Sequence, residues 1–226
     1  MDKKAKAIKV TDQAKPWEKR KNSYQYDTIR TAHKTILIVC EGQTEEYYFS
    51  KFPVISLSVK CVNLQGQSKM SLVKATQDIL KEEGFTFDEV WCVFDMDVNT
   101  NRDFTLFDKS IAKAKSLGYN VAYSNDCFEL WLLLHYKDIQ STQNREYYYE
   151  QLGKCFKMNY VKNGKKIDFC KKLYTLLQED DNSSEAQAII RAEKLYLRQK
   201  HLPYHQQKPV TLVYQLVRLL NEYKRA

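Results

Sequence analysis

The chain has 226 residues, 43% of them hydrophobic and including 16 tyrosines and 10 phenylalanines, enough for a real core, while only 6 glycines and 4 prolines exclude a fibrous or low-complexity chain. No apolar stretch approaches membrane-spanning length, and the start, MDKKAKAIKV, is basic without an apolar region, so the chain reads as cytoplasmic with no membrane partner. The net charge of +8 is uneven: ten Lys/Arg against four Asp/Glu in residues 1–34, nine against fourteen in 35–136, and seventeen against ten in 137–226. An acidic centre between basic flanks suits a cation site beside a polyanion-binding surface.

Residues 1–33 show little apolar periodicity and read as a basic N-terminal arm. KTILIVCEG (34–42) is a short β-branched run ended by Gly, the signature of a strand buried on both faces. A helix follows over 44–52, with Thr44 at its N-cap, then an alternating strand over 55–64. The helix predicted over 68–84 places Gly84 just past its end. EVWCVFD (89–95) is the next buried strand, followed by a helix over 103–118 and a strand over 119–124. NDCFELWLLLHY (125–136) reads as a nearly all-apolar helix capped by Asn125 or Asp126. Strands alternating with helices of this length predict an α/β fold, a parallel sheet of about four strands flanked by helices. From 141 onward the signals are helical, with loops at 162–166, 179–184 and 201–209. The six cysteines form no CxxC pair and sit mostly in apolar runs, so they read as reduced core residues.

Ligands of such sheets bind beyond the carboxyl ends of the strands. Glu41 falls at one such end and Asp95 with Asp97 at another; strand alternation predicts that Asp95 and Asp97 point the same way. Converging carboxylates form a hard oxygen site suited to Mg²⁺ or Mn²⁺. The competing reading of Asp97 is a turn cap. Glu129, in the first turn of an apolar helix, either faces the helix dipole or joins the site, and Glu45 has the same two readings. His135 lies on an apolar helix, where a core role outweighs a base. Lys69, Lys162, Lys165 and Lys166 are phosphate-contact candidates by position and charge, against the alternative of a solvated surface. Neither the Walker spacing nor GxGxxG occurs, so no nucleotide hydrolysis is predicted.

Three segments, ILIVCEGQTEEYYF (36–49), VFDMD (93–97) and SNDCFELWLLLHY (124–136), together resemble the RloB-like family of bacterial proteins, associated with restriction and anti-phage loci and carrying a Toprim-type catalytic domain. The resemblance covers about 100 residues. It implies a catalytic domain over 34–137 and a helical C-terminal extension over 138–226. It implies catalytic roles for Glu41, Asp95 and Asp97, which would also hold the metal, with Glu45 and Glu129 in the companion motifs. The chain departs from the family pattern at Asp126, where a proline is common, and in QKPVTLVYQLV (207–217), which keeps Pro209 and Thr211 but alters the polar run. Toprim domains serve topoisomerases, primases and nucleases, and the fold alone does not choose among them. The chain shows no cysteine spacing or length for the accessory domains of the first two, so the expectation is a Mg²⁺-dependent endonuclease acting on DNA or RNA, and the resemblance implies a role in phage defence. The resemblance also implies an AAA- or ABC-type ATPase partner. The alternative is a non-catalytic nucleic-acid- or partner-binding module with a structural metal.

Overall fold

A computed structural model describes residues 34–62, 68–97 and 101–224, so the predicted arm over 1–33 lies outside the described residues. The alternating half of the chain forms β1 (Ile36–Cys40), α1 (Gln43–Phe49), β2 (Leu57–Cys61), α2 (Lys69–Glu83), β3 (Glu89–Asp95), α3 (Asn101–Ser116) and β4 (Asn120–Asn125). It continues with α4 (Glu129–Leu134) and the C-terminal helices α5 (Arg145–Cys155), α6 (Tyr160–Asn163), α7 (Ile167–Cys170), α8 (Leu173–Glu179) and α9 (Glu185–Gln199). A two-residue strand β5 (Val210–Thr211) and helix α10 (Val213–Glu222) close the described chain.

The sheet order is β2-β1-β3-β4-β5. The first four strands run parallel and β5 pairs antiparallel with β4, so the sheet has five strands where four were predicted. β5 is too short to show a strand period; Leu212 N–H donating to Tyr123 O and the Ser124–Thr211 hydroxyl contact (2.9 Å) hold it in place. β1 is wholly buried, as expected of a β-branched run covered on both faces. α2 and α3 pack together against β1, β3 and β4, while α1 packs with α7 and α8.

The order of connection reverses between β1 and β3. Ligands of open α/β sheets bind in the crevice beyond the strand ends at such a point. Glu41 and Asp95 leave the sheet there.

Several boundaries differ from expectation. Helix α1 begins at Gln43 after Gly42, so Thr44 lies inside it, buried, with its hydroxyl 3.6 Å from Cys170 Sγ rather than at the cap. Asn125 is the last residue of β4, and α4 is entered through Phe128 without a side-chain cap, so neither Asn125 nor Asp126 caps it. Gly84 ends α2 with φ of +70°, a conformation glycine adopts without steric cost, as predicted. All six cysteines are unpaired, and Cys40, Cys92, Cys127 and Cys170 are buried.

Candidate functional site

Glu41 follows β1 directly, and its N–H donates to Val93 O (3.0 Å), one residue beyond the Cys40–Val93 pair. Asp95 ends the adjacent β3 and accepts a backbone N–H from Phe128, at the entrance of α4. The strand stops there. Asp97 has φ of +31° and an exposed side chain, so strand alternation does not reach it.

Glu45 is buried in α1. Gly42 makes that position possible, since a Cβ there would collide with the Glu45 carboxylate. Glu129 opens α4 and is 1% exposed. Five acids from three segments, Glu41, Glu45, Asp95, Asp97 and Glu129, thus line one cavity of about 370 Å³.

Basic and phenolic side chains complete its wall. Arg145, Tyr149 and Lys165 reach it from the C-terminal half of the chain. Arg145 Nη2 lies 3.1 Å from Asp97 Oδ1, close enough for an ion pair but not aligned as a hydrogen bond. Lys165 Nζ stands 2.6 Å from Glu129 Oε1, which also faces the Tyr160 hydroxyl at 3.4 Å. Beside the cavity, the buried Lys69 donates to both oxygens of Glu41 at 2.6 Å. Lys69 is therefore a partner of the acid edge, not an exposed phosphate contact. Lys162 and Lys166 lie exposed on either side of Lys165.

The electrostatics follow from crowding. Burial first, then Glu45 and Glu129, push the Asp95 carboxyl well above its ordinary range, against a downward pull from Lys165 and the Phe128 N–H. Burial likewise raises Glu45, with Lys165 opposing and Glu129 and Glu41 adding to the rise. His135 belongs to the core: it is buried, Nδ1 lies 3.0 Å from Trp131 O, and burial pushes it down to about 4.

Among the described residues, no group of three or more His, Cys, Asp or Glu side chains is arranged to hold a metal ion. Glu41 faces Lys69, Asp97 faces Arg145 and Glu129 faces Lys165, so three of the five acids are each paired with a basic side chain. The donor chemistry nevertheless fits a hard divalent ion, being all carboxylate oxygen. Glu129 Oε2 is buried without a hydrogen-bond partner among the described residues, an acceptor still open.

The family model for RloB-like proteins matches residues 36–220. The chain belongs to the RloB-like family. The matched span runs from the first residue of β1 into α10, so in this RloB-like protein it takes in both the acid edge and the helices that bring Arg145 and Lys165 to it. Neither the curated proteins nor the solved structures compared with the chain gave a match. Sequence reasoning missed Arg145, Tyr149 and Tyr160. In the tyrosine run EYYYE (146–150), Tyr148 is buried in the core while Tyr149 turns to the cavity, and the sequence carries no signal that separates the two.

Proposed function

We propose that this RloB-like protein is a divalent-metal-dependent endonuclease that hydrolyses phosphodiester bonds of DNA or RNA. The observation that carries this reading is the meeting of five carboxylates from three segments with Arg145 and Lys165 in one open cavity at the switch point of the sheet. Acids alone would repel a polyphosphate, and basic residues alone would only bind it; together they suit metal-assisted phosphoryl chemistry.

Asp95, at the centre, is the main candidate ligand, with Glu41, Asp97, Glu45 and Glu129 as the surrounding oxygen donors. A Mg²⁺ or Mn²⁺ ion held there supplies Lewis-acid stabilisation of a phosphodiester oxygen and a more acidic water. The chain's own residues do the rest. Arg145 and Lys165 neutralise the phosphate being cut, Tyr149 borders it, and the exposed Lys162 and Lys166 hold flanking phosphates. A role in phage defence and an ATPase partner are further proposals that rest on the family resemblance.

The test is incubation of the purified full chain with plasmid DNA and with total RNA, in Mg²⁺, Mn²⁺ or chelator, with Asp95→Asn alongside. Cleavage of one polymer that needs metal and is lost in Asp95→Asn is expected. No metal-dependent cleavage of either polymer, with or without the partner ATPase, overturns the reading and leaves a binding module.

A further inference from the structure

Two basic side chains enter the acid cavity from the C-terminal half, and they do so differently. Arg145 meets Asp97 at the rim, where the Asp97 side chain is 55% exposed. Lys165 reaches deeper. Its side chain is half exposed (51%), yet its ammonium touches Glu129, which is 1% exposed. Burial opposes that charge, but Glu129, then Glu45 and Asp95, outweigh it and hold the lysine protonated. The same three acids line the cavity, and Glu129 is the one the ammonium touches.

One ammonium cannot serve all three acids, since a lysine has only three donors on a single nitrogen and the ion pair it makes is with Glu129. Glu129 lines the cavity, and its Oε2 is buried with no hydrogen-bond partner among the described residues. A divalent ion brings twice the charge and several coordination positions to the same point. Lys165 also has a way out, because its side chain is half exposed and its flexible four-carbon stem can carry the ammonium to solvent.

We propose that Lys165 is a displaceable counter-ion: its ammonium occupies the place that a divalent cation takes against Glu129, Glu45 and Asp95, and cation binding drives it toward the mouth of the cavity. The proposal rests on the metal-binding part of the reading above and not on cleavage. It also explains why no ready-made metal cluster is present among the described residues.

Mn²⁺ binding to the full chain, followed by the electron paramagnetic resonance signal of free Mn²⁺ in the absence of nucleic acid, tests it. Lys165→Met removes the competing charge at similar length, and its Mn²⁺ affinity should rise by at least about tenfold over wild type, equivalent to about 1.4 kcal/mol of competition. Lys165→Arg keeps the charge and should show no such gain, which controls for effects of disturbing the segment. The gain should disappear in a Lys165→Met/Glu129→Gln double variant. Equal or weaker binding by Lys165→Met overturns the proposal while leaving the nuclease reading intact if wild type still cuts. No Mn²⁺ binding by either protein at millimolar concentration overturns both. A chain that binds Mn²⁺ more tightly as Lys165→Met but cuts nothing supports the counter-ion and refutes only the nuclease.

Discussion

The Glu129–Lys165 pair makes an asymmetric prediction about the metal-free protein. The partners are unequally exposed: Glu129 is 1% accessible and Lys165 51%. Lys165→Met therefore strands a buried carboxylate beside Glu45 and Asp95, whereas Glu129→Gln strands a lysine that can turn to water. Removing one member of a fully buried pair costs about 3–5 kcal/mol. Because the Lys165 side chain and the cavity mouth admit solvent, a loss nearer about 2 kcal/mol is expected for Lys165→Met. For a chain of this size that corresponds to a melting temperature lower by about 4–8 °C. Glu129→Gln should cost less than about 1 kcal/mol or even stabilise, since it relieves repulsion on Asp95 and Glu45 while the amide can still accept from Tyr160. Thermal melts in chelator at neutral pH, supported by urea unfolding with unchanged slope, measure both. If Glu129→Gln proves as damaging as Lys165→Met, the exposure argument is wrong and the pair is a symmetric structural bridge.

The pH dependence of Asp95 has a definite sign. Its folded pKa is raised by burial and by Glu45 and Glu129, so its stabilising contribution is full below the ordinary aspartate range and is lost as pH rises through the folded value. The melting temperature of Asp95→Asn minus that of wild type should therefore become more positive from about pH 4 to pH 8 in chelator; a flat difference contradicts the crowding. Millimolar Mg²⁺ or Mn²⁺ should raise the wild-type melting temperature and leave Asp95→Asn nearly unmoved, because only the protein that binds the ion is stabilised by it. A wild type indifferent to both ions counts against the acid edge as a cation site. Finally, Lys162→Ala/Lys166→Ala should weaken nucleic-acid binding alike across sequences and lower the steepness of its salt dependence by about two phosphate contacts, measured by fluorescence anisotropy across a salt series. An unchanged slope moves the contact surface elsewhere.

The strands and helices of residues 35–136 were legible because their signals are local. ILIVC and the EVWCVFD run carry the apolar continuity of buried strands, and ELWLLL is apolar on every side, which only a buried helix tolerates. The acids at strand ends were legible for the same reason: a charge that terminates an apolar run must leave the core. Chain-local rules failed where two assignments compete for one residue. Asn125 is as good a cap as a strand end, and pairing with β5 settled it as a strand. β5 itself spans two residues, too few to show alternation. The counter-ions lay beyond any sequence rule. That Lys69 faces Glu41, Arg145 faces Asp97 and Lys165 faces Glu129 depends on distances through space, which vary with how α2 and the C-terminal helices pack on the sheet edge. The sequence by itself put Glu41 and Asp95 at the ends of buried strands and left Glu45, Asp97 and Glu129 with two readings each. Only the tertiary structure decided that a lysine ammonium, and not an open hole, stands among them, because Coulomb energy follows separation in the folded chain and not separation along it.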